Sequence, residues 1–115
     1  MTVALSASTA NPRINIIALS GRLSVETEGQ VRPQLMEAIQ QSPQGLVLDL
    51  EAVAFVSSAG LRMLIMVYKS AATSGTKLAM IRPSPEIYKL FKLAALDLTF
   101  NVFENEADAV KAICP

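Results

Sequence analysis

The run Leu46-Val47-Leu48-Asp49-Leu50, followed by Val53-Ala54-Phe55-Val56-Ser57-Ser58-Ala59-Gly60-Leu61, decides how the rest of the chain is read. Its first five residues form a short, dense apolar stretch of the kind found in a buried strand. A loop holding Val53 and Phe55 follows, and then the period changes. From Leu61 the residues Leu64, Ile65, Tyr68, Ala71 and Ala72 recur at helical spacing. Thr73-Ser74-Gly75 stops that helix, with Gly75 placed to take the left-handed conformation beyond its end. Between strand and helix, Ser57 or Ser58 can cap by accepting a backbone N–H. Gly60 lets the backbone or a partner come close.

Moving outward, strands and helices alternate. Upstream, Arg13 to Gly21 carries Ile14, Ile16, Ile17 and Leu19 and reads as a strand entering a turn at Ser20-Gly21, with Val3 to Leu5 as a short hairpin partner. Ser24 to Gln41 reads as helix, since Val31, Leu35, Ala38 and Ile39 recur at i, i+4, i+7 and i+8. Pro33 is tolerated only in a first turn, so the regular helix starts near Gln30 or kinks at Pro33. Downstream, Lys77 to Ile81 is a strand. Ser84-Pro85 starts a helix whose buried face is Ile87, Leu90, Phe91 and Ala94. Thr99 to Phe103 is a last strand, and Asn105 caps a final helix carrying Val110 and Ile113, with Asp108 at N3. The order β, β, α, β, α, β, α, β, α implies crossover connections, a largely parallel sheet and one antiparallel edge. In such sheets sites lie at the carboxyl ends of strands, which is where Ser58 falls.

Composition narrows the function classes. The chain has 115 residues, enough for one domain with a core of its own and too few for two. Its 51% apolar and 17% charged content argues against disorder and leaves apolar surface for a partner. Ten basic and ten acidic residues cancel, so no basic stripe marks nucleic-acid binding and no charge run marks an anionic membrane. No apolar stretch is long enough to span a bilayer, and Met1 to Asn11 has no signal-peptide pattern. The single cysteine, Cys114, fits a reducing compartment and excludes an internal disulfide. Histidine is absent, which removes the commonest general base and metal ligand. No phosphate-binding loop or paired-cysteine pattern is present. A non-enzymatic, cytoplasmic domain without cofactor or metal is expected.

Several residues are weighed singly. Arg62 in the first helical turn opposes the helix dipole, so it is either plain surface charge or a contact to a partner carboxylate or phosphoserine. Met36, Met63 and Met66 read as core or interface filler. Asp49 reads as a strand-end hydrogen-bonding group, and Glu104, Glu106 and Asp108 as helix N-terminal charges. Cys114, beside the chain end, is not read as catalytic. Ser57 and Ser58 have two readings. As plain residues they are helix caps. As modification sites they stand where free N–H groups and a partial positive charge accommodate a phosphate, which adds about −1.5 to −2 charges.

The quoted run resembles the signature of STAS domains, in particular the anti-sigma factor antagonists, whose pattern is a hydrophobic strand, a short loop and Ser-Ser-Ala-Gly-Leu or Asp-Ser-Ser-Gly-Leu opening a helix. Leu19-Ser20-Gly21-Arg22-Leu23 is similar to the family's second strand and turn. Lys77 to Ile81, Ser84-Pro85 and Leu90-Phe91 are similar to its later strand and helix. The resemblance runs from about Arg13 to Ile113, within one domain over 1–115. It implies an α/β, STAS-like fold, a mixed and mostly parallel sheet with helices packed against it. It also implies a partner-switching transcription regulator. With Gly60 and Leu61 fixing the register, Ser58 falls on the family's phosphorylated serine and Ser57 is the rival acceptor. Ser24, Ser57, Ser58, Ala59, Gly60, Leu61 and Arg62 fall on its partner-binding face. Implied partners are an anti-sigma factor that is also a serine kinase, and a phosphoserine phosphatase; a monomer and a weak dimer both fit. Ser57 and Ser24 stand where many members have Asp, and Ala59 where many have a second Ser. A constitutive STAS accessory subunit of a membrane transport complex, without phospho-regulation, is the alternative.

Overall fold

The computed structural model describes residues 2–8, 10–42 and 44–113. Nine elements follow in chain order: β1 (Thr2–Ala7), β2 (Asn15–Leu23), α1 (Val25–Gln40), β3 (Gly45–Val56), α2 (Ser58–Ser74), β4 (Lys77–Ile81), α3 (Pro85–Leu93), β5 (Val102–Phe103) and α4 (Glu106–Ile113). The expected order is the observed one. The sheet runs β1-β2-β3-β4-β5, antiparallel between β1 and β2 and parallel elsewhere.

Alternation along the strands divides the core between the two faces. Ile17, Leu19, Leu46, Leu48, Leu50, Leu78 and Met80 point to one side, where they meet residues of α1, α2 and α3. Ile14, Ile16, Val47, Ala79 and Ile81 point to the other, where Ala109, Val110 and Ile113 of α4 cover them. Because β3 and β4 are buried on both faces, their sequences are near-continuous apolar runs.

Several boundaries differ from expectation. β3 does not end at Leu50 but continues to Val56, so Val53 and Phe55 lie in the strand and not in a loop. Its register with β2 shifts twice, Ala18 facing Asp49 while Ser20 faces Ala52, and Gly21 facing Val53 while Arg22 faces Phe55. Each shift gives β3 one extra residue, as in a bulge. Buried positions therefore follow Leu50 at intervals of three, Val53 and Val56, and the period-2 signal is lost. β2 likewise passes through Ser20-Gly21 to Leu23; Gly21 takes φ 101°, which its missing Cβ permits.

α1 starts at Val25, and Pro33 sits inside it, eight residues on. Pro33 cannot donate to the Gly29 carbonyl, but both residues are exposed, so water can take that acceptor. β5 is reduced to Val102–Phe103 because Phe100 belongs to the core, its ring edge-on to Phe91 at 5.1 Å. Asn101, at φ 50°, turns the chain back toward β4. In α3, Ile87 and Phe91 are buried as expected, whereas Ala94 caps the helix end and is exposed.

Candidate functional site

Two helix N-termini open side by side at the carboxyl end of the sheet. β2 and β3 are parallel neighbours, and each passes straight into a helix, β2 through Ser24 and β3 through Ser57. Leu23 pairs with Val56 at the strand ends, and its carbonyl accepts the Ser57 N–H at 2.8 Å. That bond ties the start of α2 to the end of β2.

The two candidate serines have different surroundings. Ser57 is the cap: extended at φ −84°, half-buried, its Oγ accepts the Gly60 N–H at 3.1 Å and its carbonyl the Leu61 N–H at 2.8 Å. Ser58 is the first helical residue. It is exposed, and its hydroxyl takes part in no hydrogen bond among the described residues. The amides of Ser58 and Ala59 have no intrahelical acceptor, as at any helix start.

Gly60 has a packing role. It is buried, and a Cβ there would lie 2.4 Å from the Leu23 carbonyl oxygen. The backbone whose approach it permits is the chain's own. Ala59 and Leu61 are half-buried, Leu61 against the larger core. Arg62 is exposed and forms no ion pair among the described residues. Of the seven sequence-selected residues, then, Ser58 and Arg62 face solvent and Gly60 and Ser24 are interior supports.

Ser24 is 7% exposed and starts α1. Its N–H donates to Thr27 Oγ1 at 3.0 Å, and its Oγ donates to Glu26 Oε2 at 2.7 Å. A carboxylate therefore does stand at this turn, carried two residues beyond position 24. The hydrogen bond from Ser24, then one from the backbone N–H of Glu26, with the Arg22 charge adding to both, hold the Glu26 carboxyl below the ordinary glutamate range. Sequence reading passed over Glu26; its one signal is an acid two residues after a serine cap. Alongside, the Arg22 guanidinium lies 4.4 Å over the Phe55 ring, an arrangement attractive to a cation. Phe55 is 40% and Val25 68% exposed, so the charged groups are interleaved with apolar surface.

Other candidates resolve into structure. Asp49 lies within β3, not at its end; its Oδ2 meets Arg82 Nη2 at 2.6 Å and its Oδ1 accepts the Glu51 N–H. Met63 is core, Met36 half-buried and Met66 exposed. Asn105 caps α4 by accepting the Asp108 N–H at 2.8 Å, as expected. Glu106 sits in the first turn of α4 and accepts the Ser8 hydroxyl at 2.6 Å. Cys114 lies outside the described residues. Among the described residues no group of three or more metal-ligating side chains occurs, and no helix is long and apolar enough to cross a membrane.

Known proteins resemble this chain in sequence and in fold. Residues 7–109 match the model of the STAS domain. An anti-sigma F factor antagonist of Paenibacillus polymyxa is 31% identical over 96 residues, covering 83% of this chain and 82% of the relative. The crystal structure of an anti-sigma factor antagonist from Mycobacterium paratuberculosis superposes with a TM-score of 0.85 at 24% identity, over 99% of this chain and 94% of that one. The anti-sigma factor antagonist SpoIIAA in its unphosphorylated form superposes with a TM-score of 0.76 at 20% identity, over 97% and 96%. The Bacillus SpoIIAA is also solved in its phosphorylated form, at a TM-score of 0.71.

Proposed function

The chain belongs to the STAS domain family, and from that premise we propose that it is an anti-sigma factor antagonist switched by phosphorylation of Ser58. Unphosphorylated, it binds an anti-sigma factor and thereby frees a sigma factor; phosphorylated, it lets go. The observation that carries the assignment is the division of labour between the two serines. Ser57 spends its oxygen on the cap, whereas Ser58 presents an unengaged hydroxyl one residue later.

The chemistry asked of the chain is small. The Ser58 oxygen attacks the γ-phosphorus of ATP held by a partner kinase. A Ser–O–P bond forms, the bond to ADP breaks, and the hydroxyl proton passes to a base on the kinase. The chain is the substrate of this step, not its catalyst, and needs no cofactor. A phosphatase reverses the modification by hydrolysis, in the cytoplasm where both partners work.

Why the phosphate acts as an off-switch follows from where it stands. The helix start offers it free amides and a partial positive charge, so the fold accepts it without rearrangement. A partner seated over Ser58, Phe55, Val25 and Arg62 would have to desolvate about −1.5 to −2 charges. An uncompensated buried ion costs several kcal/mol, and about 2.7 kcal/mol already weakens binding a hundredfold.

Incubation with its cognate kinase and ATP, followed by mapping of the phosphate by mass spectrometry, tests the reading. Phosphate on Ser58 is expected, and phosphate on neither Ser57 nor Ser58 would sink the switch. Ser58→Asp should lose the partner and Ser58→Ala should keep it. Stable co-purification with a transporter ATPase, unchanged by phosphatase, would instead mark a constitutive accessory subunit.

A further inference from the structure

The sheet has two unlike edges. β5 contributes two residues and offers almost nothing to an incoming strand. β1 contributes six, Thr2-Val3-Ala4-Leu5-Ser6-Ala7, and all six pair with β2 on one side only. Among the described residues no strand pairs with its other side, which is a row of backbone N–H and C=O groups open to a further strand. Natural edges are blunted by charges, prolines, bulges or brevity. β1 has no charged residue and no proline, its register with β2 is unbroken from Thr2 to Ala7, and it is as long as an average strand.

The side chains say what kind of strand fits. Val3 and Leu5 lie opposite Leu19 and Ile17, on the face carrying α1 and α2. Val3 packs against that core, but Leu5 remains 46% exposed. A shallow hollow of about 190 Å³ beside it is lined by Val3, Leu5, Gln34, Glu37 and Gln41. The single carboxylate on this rim is already bonded, Gln41 Nε2 donating to Glu37 Oε1. The edge is thus apolar above and small below, and nearly uncharged, the composition that its own copy can meet without repulsion.

We infer that β1 is a self-association edge, pairing antiparallel with β1 of a second copy to form one ten-stranded sheet. Directly opposed residues share a face in an antiparallel pair. The register that joins apolar to apolar puts Val3 opposite Leu5 of the second copy, twice, with Ala4 on the two-fold axis. Such an interface is isologous and closed. The short β5 cannot accept β1 of a further copy, so the association stops at two. β1 begins opposite Ser20, whereas the Ser58 turn lies beyond Leu23. The pair would therefore present both switch surfaces unobstructed.

Sedimentation of the full chain from micromolar to submillimolar concentration tests this. A reversible species of twice the 12.3 kDa chain mass is expected. Leu5→Lys, which sets two cations into the seam, should weaken association about tenfold or more, the size of one lost apolar contact or more. Leu98→Lys, at a position 86% exposed on the α3–β5 connection, should not. In a Cys114→Ser background, mild oxidation should cross-link Ala4→Cys and not Ser6→Cys, because Ser6 faces Thr2 of the second copy and lies far from its own counterpart. The cross-link is read even if the lysine variant fails to fold. A monomer at every concentration, a dimer indifferent to Leu5→Lys, or equal cross-linking at both cysteines would overturn the inference.

Discussion

At the scale of single residues, the Ser-Ser pair separates support from signal. Ser57→Ala removes the acceptor of the Gly60 N–H and should cost about 1 kcal/mol, the usual loss of a serine cap. Ser58→Ala removes an unengaged, exposed hydroxyl and should stay within about 0.5 kcal/mol of the parent. Urea unfolding of the two variants checks both values; a larger loss for Ser58→Ala than for Ser57→Ala would mean that the cap is assigned to the wrong serine. Gly60→Ala forces a Cβ against the Leu23 backbone, which no rotamer change relieves, so a loss of roughly 1–3 kcal/mol is expected. Glu26 gives a pH signature. Its folded pKa is depressed, so the stability it contributes is present above the unfolded glutamate value and is lost as pH falls through the folded one. Ser24→Ala deletes the leading cause of that depression. An NMR titration of Glu26 in this variant should move up toward the ordinary range; an unmoved titration would remove Ser24 from the account.

At the scale of elements, legibility in the sequence followed local chemistry. The Ser84-Pro85 start of α3, the left-handed Gly75 beyond α2 and the Lys77–Ile81 strand are all where the sequence puts them, because each is set by one or two residues. The second half of β3 was not legible, since two register shifts replace the period of 2 with intervals of three. The Ser58 position could be read, but not which of the two neighbouring serines caps, which depends on where β3 stops. The Ser24–Glu26 bond was not legible for a related reason: with the regular helix expected to start near Gln30 or to kink at Pro33, Glu26 had no fixed place in a first helical turn. Pro33 misled because its penalty is paid at an exposed carbonyl. The same helix holds Gly29 with open space around its missing Cβ. Gly29→Ala should therefore stabilise the chain by about 0.5–1 kcal/mol, through higher helix propensity and a less flexible unfolded state. A lowered melting temperature would show that this turn of α1 needs the freedom of glycine.

At the scale of the molecule, one sheet serves two cores, and the question is whether they unfold as one. The larger core lies under α1, α2 and α3 and the smaller under α4, with Leu46, Leu48 and Leu50 facing the first and Val47 the second from the same strand. No strand can lose one face and keep its place against the other, so a single cooperative transition is expected, as for most domains of this length. Ile39→Val in α1 and Ile81→Val in β4 probe the two cores separately, both residues being buried. Each should cost about 0.5–1.5 kcal/mol. On opposite sides of the sheet they share no cavity, so the double variant should lose the sum within roughly 0.3–0.5 kcal/mol. Circular dichroism and tyrosine fluorescence should report the same midpoint in all three variants. Tyr68 and Tyr88 both pack against the larger core, so fluorescence reports chiefly on that core, whereas circular dichroism registers the helical content of α4 directly. A fluorescence midpoint that ignores Ile81→Val while circular dichroism shifts would mean that α4 detaches first. In that case the face carrying the Ser58 turn would be stable on its own, and a switch at Ser58 could not be felt across the sheet.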